Sequence, residues 1–112
     1  MFLIVAKYLI PKGFRGLTIF PFILVKYRED LKDSIFINHE KIHIRQQVEL
    51  LIIPFFIWYL AEYFVRLYQY KNADRAYKNI SFEREAYLEE SNLLYLKNRP
   101  FYRFCNFLNM QL

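Results

Sequence analysis

Cysteine occurs once in the chain, histidine twice and glycine twice. A lone Cys105 excludes an internal disulfide and a cysteine-ligated zinc site, and a reducing compartment is the simplest fit. Both glycines, Gly13 and Gly16, fall within residues 11–16, so a turn is expected there. No apolar run reaches the roughly 20 residues that span a bilayer. The uncharged stretch 51–61 is followed by Glu62 and Arg66, at a spacing suited to an ion pair on a helix. It is therefore read as part of a buried helix, not a membrane segment. Residues 1–6 are apolar, but no positive segment precedes them and Lys7 ends the run. No secretory signal is expected, and the expected location is cytoplasmic. Internal repeats and low-complexity stretches are absent. The basic residues are dispersed and match no nucleic-acid-reading motif, so nucleic acid is not an expected partner.

A chain of 112 residues is one domain, 1–112, with no room for a second. Hydrophobic residues make up 55% and aromatics 21%. That is more Phe and Tyr than one small core needs, and it points to a partner or lipid surface. The formal net charge of +5 favours acidic partners, and peripheral attachment to an anionic membrane is left open.

The apolar, β-branched and aromatic runs 1–10 and 17–27 read as two strands joined by the turn at 11–16. Pro21 would make the second an edge strand or a kinked one. Residues 27–32 read as a charged loop. Asp33 or Ser34 can cap a helix running to about residue 53, with Ile37, Ile44, Val48 and Leu51 facing the core. His39, His43, Gln47 and Leu50 form the neighbouring stripe. Pro54 ends or kinks this helix. A second helix is expected from about 55 to 71. After a polar stretch at 72–79, a third helix capped by Ser81 runs to about 98, and Pro100 stops it. The tail 101–108 reads as a short helix docked by its aromatics. The expected class is α+β, with an N-terminal hairpin or small sheet on a three-helix core and a short C-terminal helix.

The only two histidines lie in His39-Glu40-Lys41-Ile42-His43, an H-E-x-x-H sequence. On a helix, residues four apart share one face, so both imidazoles can grip one Zn²⁺ at about 2.0–2.1 Å. Glu40 then lies beside the ion without binding it, placed to take a proton from a zinc-bound water.

A catalytic zinc usually has three protein ligands and one open position. With no third histidine, an acidic residue must complete the set. Glu49, Glu62, Glu83, Glu85, Glu89 and Glu90 are available. Glu49 lies on the wrong face of its helix. Glu62 returns to about the level of His43 if the second helix folds back. Glu83 reaches both histidines if the chain reverses near 72–80. Glu85 is an alternative to Glu83, since about 200° of helix rotation separates them and both cannot face one ion.

The H-E-x-x-H sequence, followed by Glu83-Arg84-Glu85-Ala86-Tyr87, resembles the gluzincins, and the chain length resembles the single-domain minigluzincins. In several gluzincin families a later helix carries E-x-x-A-[DN], whose first glutamate binds zinc. The resemblance implies Glu83 as the third ligand beside His39 and His43. Tyr87 departs from the pattern, because it cannot accept a histidine N–H as a carboxylate does. Asp74 is an alternative source of that contact. The implied activity is zinc-dependent hydrolysis of a peptide or protein substrate, with Glu40 as general base. The substrate would lie as an added strand along the 17–27 edge. Tyr87 and Tyr102 are candidates to steady the oxyanion. The alternative reading is a zinc-containing membrane-surface or protein-interaction module without proteolytic activity, which would not need Glu40 beside the metal.

Overall fold

The computed structural model of the protein describes residues 2–108. It is α+β. A three-stranded sheet is formed by β1 (Phe2–Val5), β2 (Gly16–Ile19) and β3 (Phe22–Val25), in the order β1-β3-β2. The strand expected over 1–10 is confined to β1, after which Lys7–Leu9 forms a 3₁₀ turn; Met1 lies outside the described residues. The run expected as one strand over 17–27 is a hairpin, β2 pairing antiparallel with β3 while β1 pairs parallel with β3. Pro21 is neither at an edge nor at a kink but in the tight turn, after a cis peptide bond with Phe20. A strand-like composition does not reveal a two-residue reversal when proline stands in for the usual glycine.

Alternation along the strands puts Thr18, Ile23 and Val25 on the face turned to the helices. Ile23 and Val25 pack there against Phe36 and Ile37. Those two residues lie on α1 (Ser34–Glu49), whose N-terminus is capped by Asp33 Oδ1 accepting from Phe36 N at 3.1 Å. Helix α1 stops at Glu49, short of Pro54. Leu51 and Ile52 both take positive φ, 61° and 68°. Ile53 N donates to Leu51 O at 2.8 Å, closing a tight reversal about Ile52. The next helix, α2 (Ile53–Tyr70), leaves at 112° to α1. Ile37 and Ile44 meet the core as expected, but Val48 and Leu51 do not, because the reversal swings Leu51 into solvent, 79% exposed.

Helix α2 is not the buried helix expected from its composition. Only Phe55 and Glu62 are buried along it. No single helix among the described residues is long and apolar enough to cross a membrane. The chain continues through α3 (Ala73–Lys78), α4 (Ser81–Glu89) and α5 (Tyr95–Asn98). The helix expected over 81–98 is thus two helices. Asn38 of α1 donates to the carbonyls of Glu90 at 2.9 Å and Asn92 at 3.0 Å, which closes α4. The cap of α4 also differs from expectation. Ser81 is its first residue, and the Glu62 carboxylate accepts from Ser81 N and Ser81 Oγ, each at 2.6 Å. The tail forms a 3₁₀ turn at Arg103–Phe107. Its Phe104 joins Phe55, Ile80 and Phe82 in a second core, and Arg84 holds the carbonyls of Phe107 and Leu108.

Candidate metal centre

Helix α1 buries an unusual polar stripe: His39, Glu40, His43, Gln46 and Gln47. Polar groups removed from water cost free energy unless each finds a partner. The partners of this stripe define the site.

His39 Nε2, His43 Nε2 and Glu83 Oε1 form a triangle with every side 3.2 Å. All three residues are buried. Glu83 reaches them from the first turn of α4, which crosses α1 at this level. Donors about 2.0–2.1 Å from a tetrahedral ion stand about 3.3 Å from one another. The triangle therefore fits a small divalent cation, and the donor set, two imidazoles and a carboxylate, suits first-row metals of that size, zinc among them.

The outer nitrogens make the same point. His39 Nδ1 donates to Glu90 Oε1 at 2.8 Å. His43 Nδ1 donates to Gln46 Oε1 at 2.8 Å. The Gln46 amide is oriented from behind, because its Nε2 faces two acceptors, Phe82 O at 3.1 Å and Glu85 Oε1 at 3.0 Å. With both Nδ1 atoms protonated, both Nε2 lone pairs point into the triangle beside a carboxylate oxygen. Three acceptors converging on one point call for a positive charge between them. The electrostatics agree. Burial opposes a charge on His43, but the charge and hydrogen bond of Glu83, with the charge of Glu40, outweigh it and push the imidazole up to about 9. Burial alone would raise Glu83, yet the two histidines hold it well below the usual carboxylate range. Its second oxygen, Oε2, accepts from Tyr59 Oη at 2.7 Å. Burial and the charge of Glu83 drive the Tyr59 phenol far upward, so it stays a donor.

Glu40 stands beside the triangle and outside it. Its Oε2 accepts a short hydrogen bond from Thr18 Oγ1 on β2. The strand comes this close because Gly16 has no side chain: a Cβ there would meet Phe36 at 2.8 Å and Leu24 O at 2.9 Å. His39 and Glu40 open onto a cleft of about 940 Å³ between the Gly16 end of β2, α1, α2 and α3. Tyr77 and Tyr87 line it. Burial, the charge of Glu83 and further charges raise both phenols, Tyr87 to about 12. The Tyr87 ring meets His39 edge-on, 4.7 Å between centroids.

The remaining expected residues lie elsewhere. Glu62 caps α4 and pairs with Arg66 at 3.1 Å, so it does not reach the triangle. Glu85 faces away from it and binds Arg99, Tyr95 and Gln46. Asp74 pairs with Lys78 on the surface, and Glu90 holds His39 in its place. Tyr102 is bound to Glu49, not to the cleft. Of the expected strand edge, only β2 is at the border of the sheet. Gln47 occupies part of that border, accepting from Phe20 N and donating to Thr18 O, each at 2.7 Å. Thr18, Gln46 and Tyr59 were not anticipated. Gln46 had a local signal, three residues after His43 on the same helix face; Thr18 and Tyr59 had none. Comparison with protein-family models, with curated proteins and with solved structures finds no match, and the reading of this site rests on its own geometry.

Proposed function

We propose that the protein is a metal-dependent peptide hydrolase with zinc as its ion. The observation that carries this reading is the 3.2 Å triangle of His39, His43 and Glu83 at a cleft, with a separately held carboxylate, Glu40, beside it. A structural metal site would close its coordination with a fourth protein ligand. Here the described residues supply three.

A bound zinc would supply Lewis acidity, polarising a substrate carbonyl and lowering the pKa of a coordinated water. The chain's own residues supply the rest. Thr18 holds Oε2 of Glu40, leaving Oε1 to accept a proton and return it to the leaving amine nitrogen. The raised phenols of Tyr77 and Tyr87 remain protonated; Tyr77 donates to Tyr87, and Tyr87 can donate to negative charge that develops on the carbonyl oxygen. Aromatic walls from Phe14, Phe36 and Tyr63 exclude water and favour an apolar side chain in the substrate.

Metal analysis and a peptide-library digest of wild type and Glu40→Gln test this. The expected result is about one zinc per chain in both proteins, with hydrolysis by the variant reduced by at least about 100-fold. Equal cleavage by the two would remove Glu40 from the mechanism. Bound zinc with no cleavage of any peptide would make the protein a metal-containing binding module.

A further inference from the structure

The core leaves the outer face of α2 open, and only Leu60 on it borders the cleft. Ile53, Ile57, Leu60, Phe64 and Tyr68 recur at helical spacing, opposite Phe55, Tyr59, Glu62 and Arg66. They are strongly exposed, from 57% at Leu60 to 82% at Tyr68, and Val65 widens the stripe. The only charged residues of α2, Glu62 and Arg66, turn away from it, to Ser81 and to Leu108 O. With 18 residues, α2 gives this uncharged face a length of about 27 Å. An apolar face of that extent marks an interaction surface.

Charge indicates what covers it. Most acidic residues are buried or paired: Glu40, Glu62, Glu83 and Glu85 are buried, Glu49 is paired with Arg99, and at the surface Asp30 and Asp33 are held by Arg15 and Asp74 by Lys78. Fewer cations are: Arg84 and Arg99 are buried and Arg66 is turned inward to Glu62. Lys7, Lys12, Lys32, Lys71, Arg75 and Lys97 are exposed. The outer surface is thus more basic than the net charge of +5 conveys. Two of these cations follow the stripe directly. Lys71 ends α2, and Arg75 lies 4.7 Å over the Tyr70 ring. An apolar stripe with aromatic residues and a basic end suits the boundary between acyl chains and anionic headgroups. A second copy of the chain, itself at +5, offers that basic end no net negative surface.

We propose that α2 seats the protein on an anionic lipid bilayer, with the stripe from Ile53 to Tyr68 lying in the interface plane. Leu60 belongs both to the stripe and to the cleft wall, so the cleft opens at the level of the lipid surface. The docking needs no metal and stands apart from the proposed hydrolysis.

The test is flotation of the full chain with vesicles of phosphatidylcholine alone, or with about one third phosphatidylserine. Binding to the mixed vesicles is expected, at least about tenfold tighter than to phosphatidylcholine. Ile57→Ser combined with Phe64→Ser should lose at least about tenfold in binding, with circular dichroism and metal content unchanged. Lys71→Glu with Arg75→Glu should weaken binding to the anionic vesicles alone. Absence of binding to either vesicle, equal binding to both, or wild-type binding by the serine variant would each overturn the proposal. So would a dimer in sedimentation velocity that dissociates in the serine variant without any vesicle binding, since it would assign the face to a second copy.

Discussion

One amide decides how His43 presents itself. Gln46 Nε2 is committed to two acceptors, so Gln46 Oε1 accepts the His43 Nδ1 proton and turns Nε2 to the triangle, where it holds a proton in metal-free protein or an ion in its place. The chain of support continues from Gln46 to Glu85 and from Glu85 to Arg99, whose guanidinium also grips Glu49 at 2.7 Å. Groups that orient a ligating histidine are typically worth about 10–100-fold in metal affinity. Gln46→Leu should weaken zinc by about that factor, read by chelator competition. Gln47→Leu is the control, because it is as deeply buried but hydrogen-bonds Thr18 of β2 and Phe20 of the turn after it, not a histidine. An unchanged zinc affinity in Gln46→Leu would show that His43 needs no such partner. The same connection alters the expectation for Glu85. It lies outside the triangle, yet Glu85→Ala frees Gln46 and leaves Arg99 only the Glu49 carboxylate, so it should weaken zinc as well as the fold. The histidine pair and Glu40 were legible because their chemistry is local, within one helical turn. Thr18 and Tyr59 were not, because β2 and α2 bring them from other elements, and hydroxyls that common carry no spacing signal.

At the scale of elements, helix existence was legible and helix ends were not. Apolar spacing and the Asp33 cap marked α1, but the positive-φ pair Leu51 and Ile52 ended it before Pro54. Neither residue type favours that conformation, so nothing in their identity signals the corner. The apolar composition of α2 was misleading for a related reason: it is shared between a core side and an open side. The start of α4 depends on a charge from another helix. Glu62 accepts from Ser81 N, Ser81 Oγ, Trp58 Nε1 and Arg66, and it is buried. Glu62→Ala leaves Ser81 and Trp58 without this acceptor and Arg66 with only Gln69 and Leu108 O. It should destabilise the protein by about 2–4 kcal/mol in urea unfolding. Zinc content at saturating metal should persist, since Glu62 does not touch the triangle. Loss of zinc without loss of stability would instead mean that Glu62 binds the ion.

For the molecule as a whole, the triangle ties α1 to α4 across a long stretch of chain, and only the native fold brings the three donors together. A cation bound there stabilises the fold by mass action, about 2.7 kcal/mol at a free concentration 100-fold above Kd. For a domain of this size that raises Tm by roughly 10 °C. The pH dependence of this rise identifies the atoms involved. In metal-free protein, Glu83 and Glu40 overcome burial and lift His43 from its ordinary 6.5 to about 9. Because the folded value lies above the unfolded one, the contribution is complete below pH 6.5 and is lost as pH rises through about 9. A bound cation needs the neutral imidazole, so protons compete with it and its affinity grows over the same window. Metal-free protein should therefore lose stability between pH 6.5 and 9 while the zinc-induced rise in Tm increases. Calorimetric scans with chelator and with zinc at several pH values across that window measure both trends. A zinc-induced rise that stays constant with pH would mean that the ion does not displace the His43 proton and is held somewhere other than the triangle.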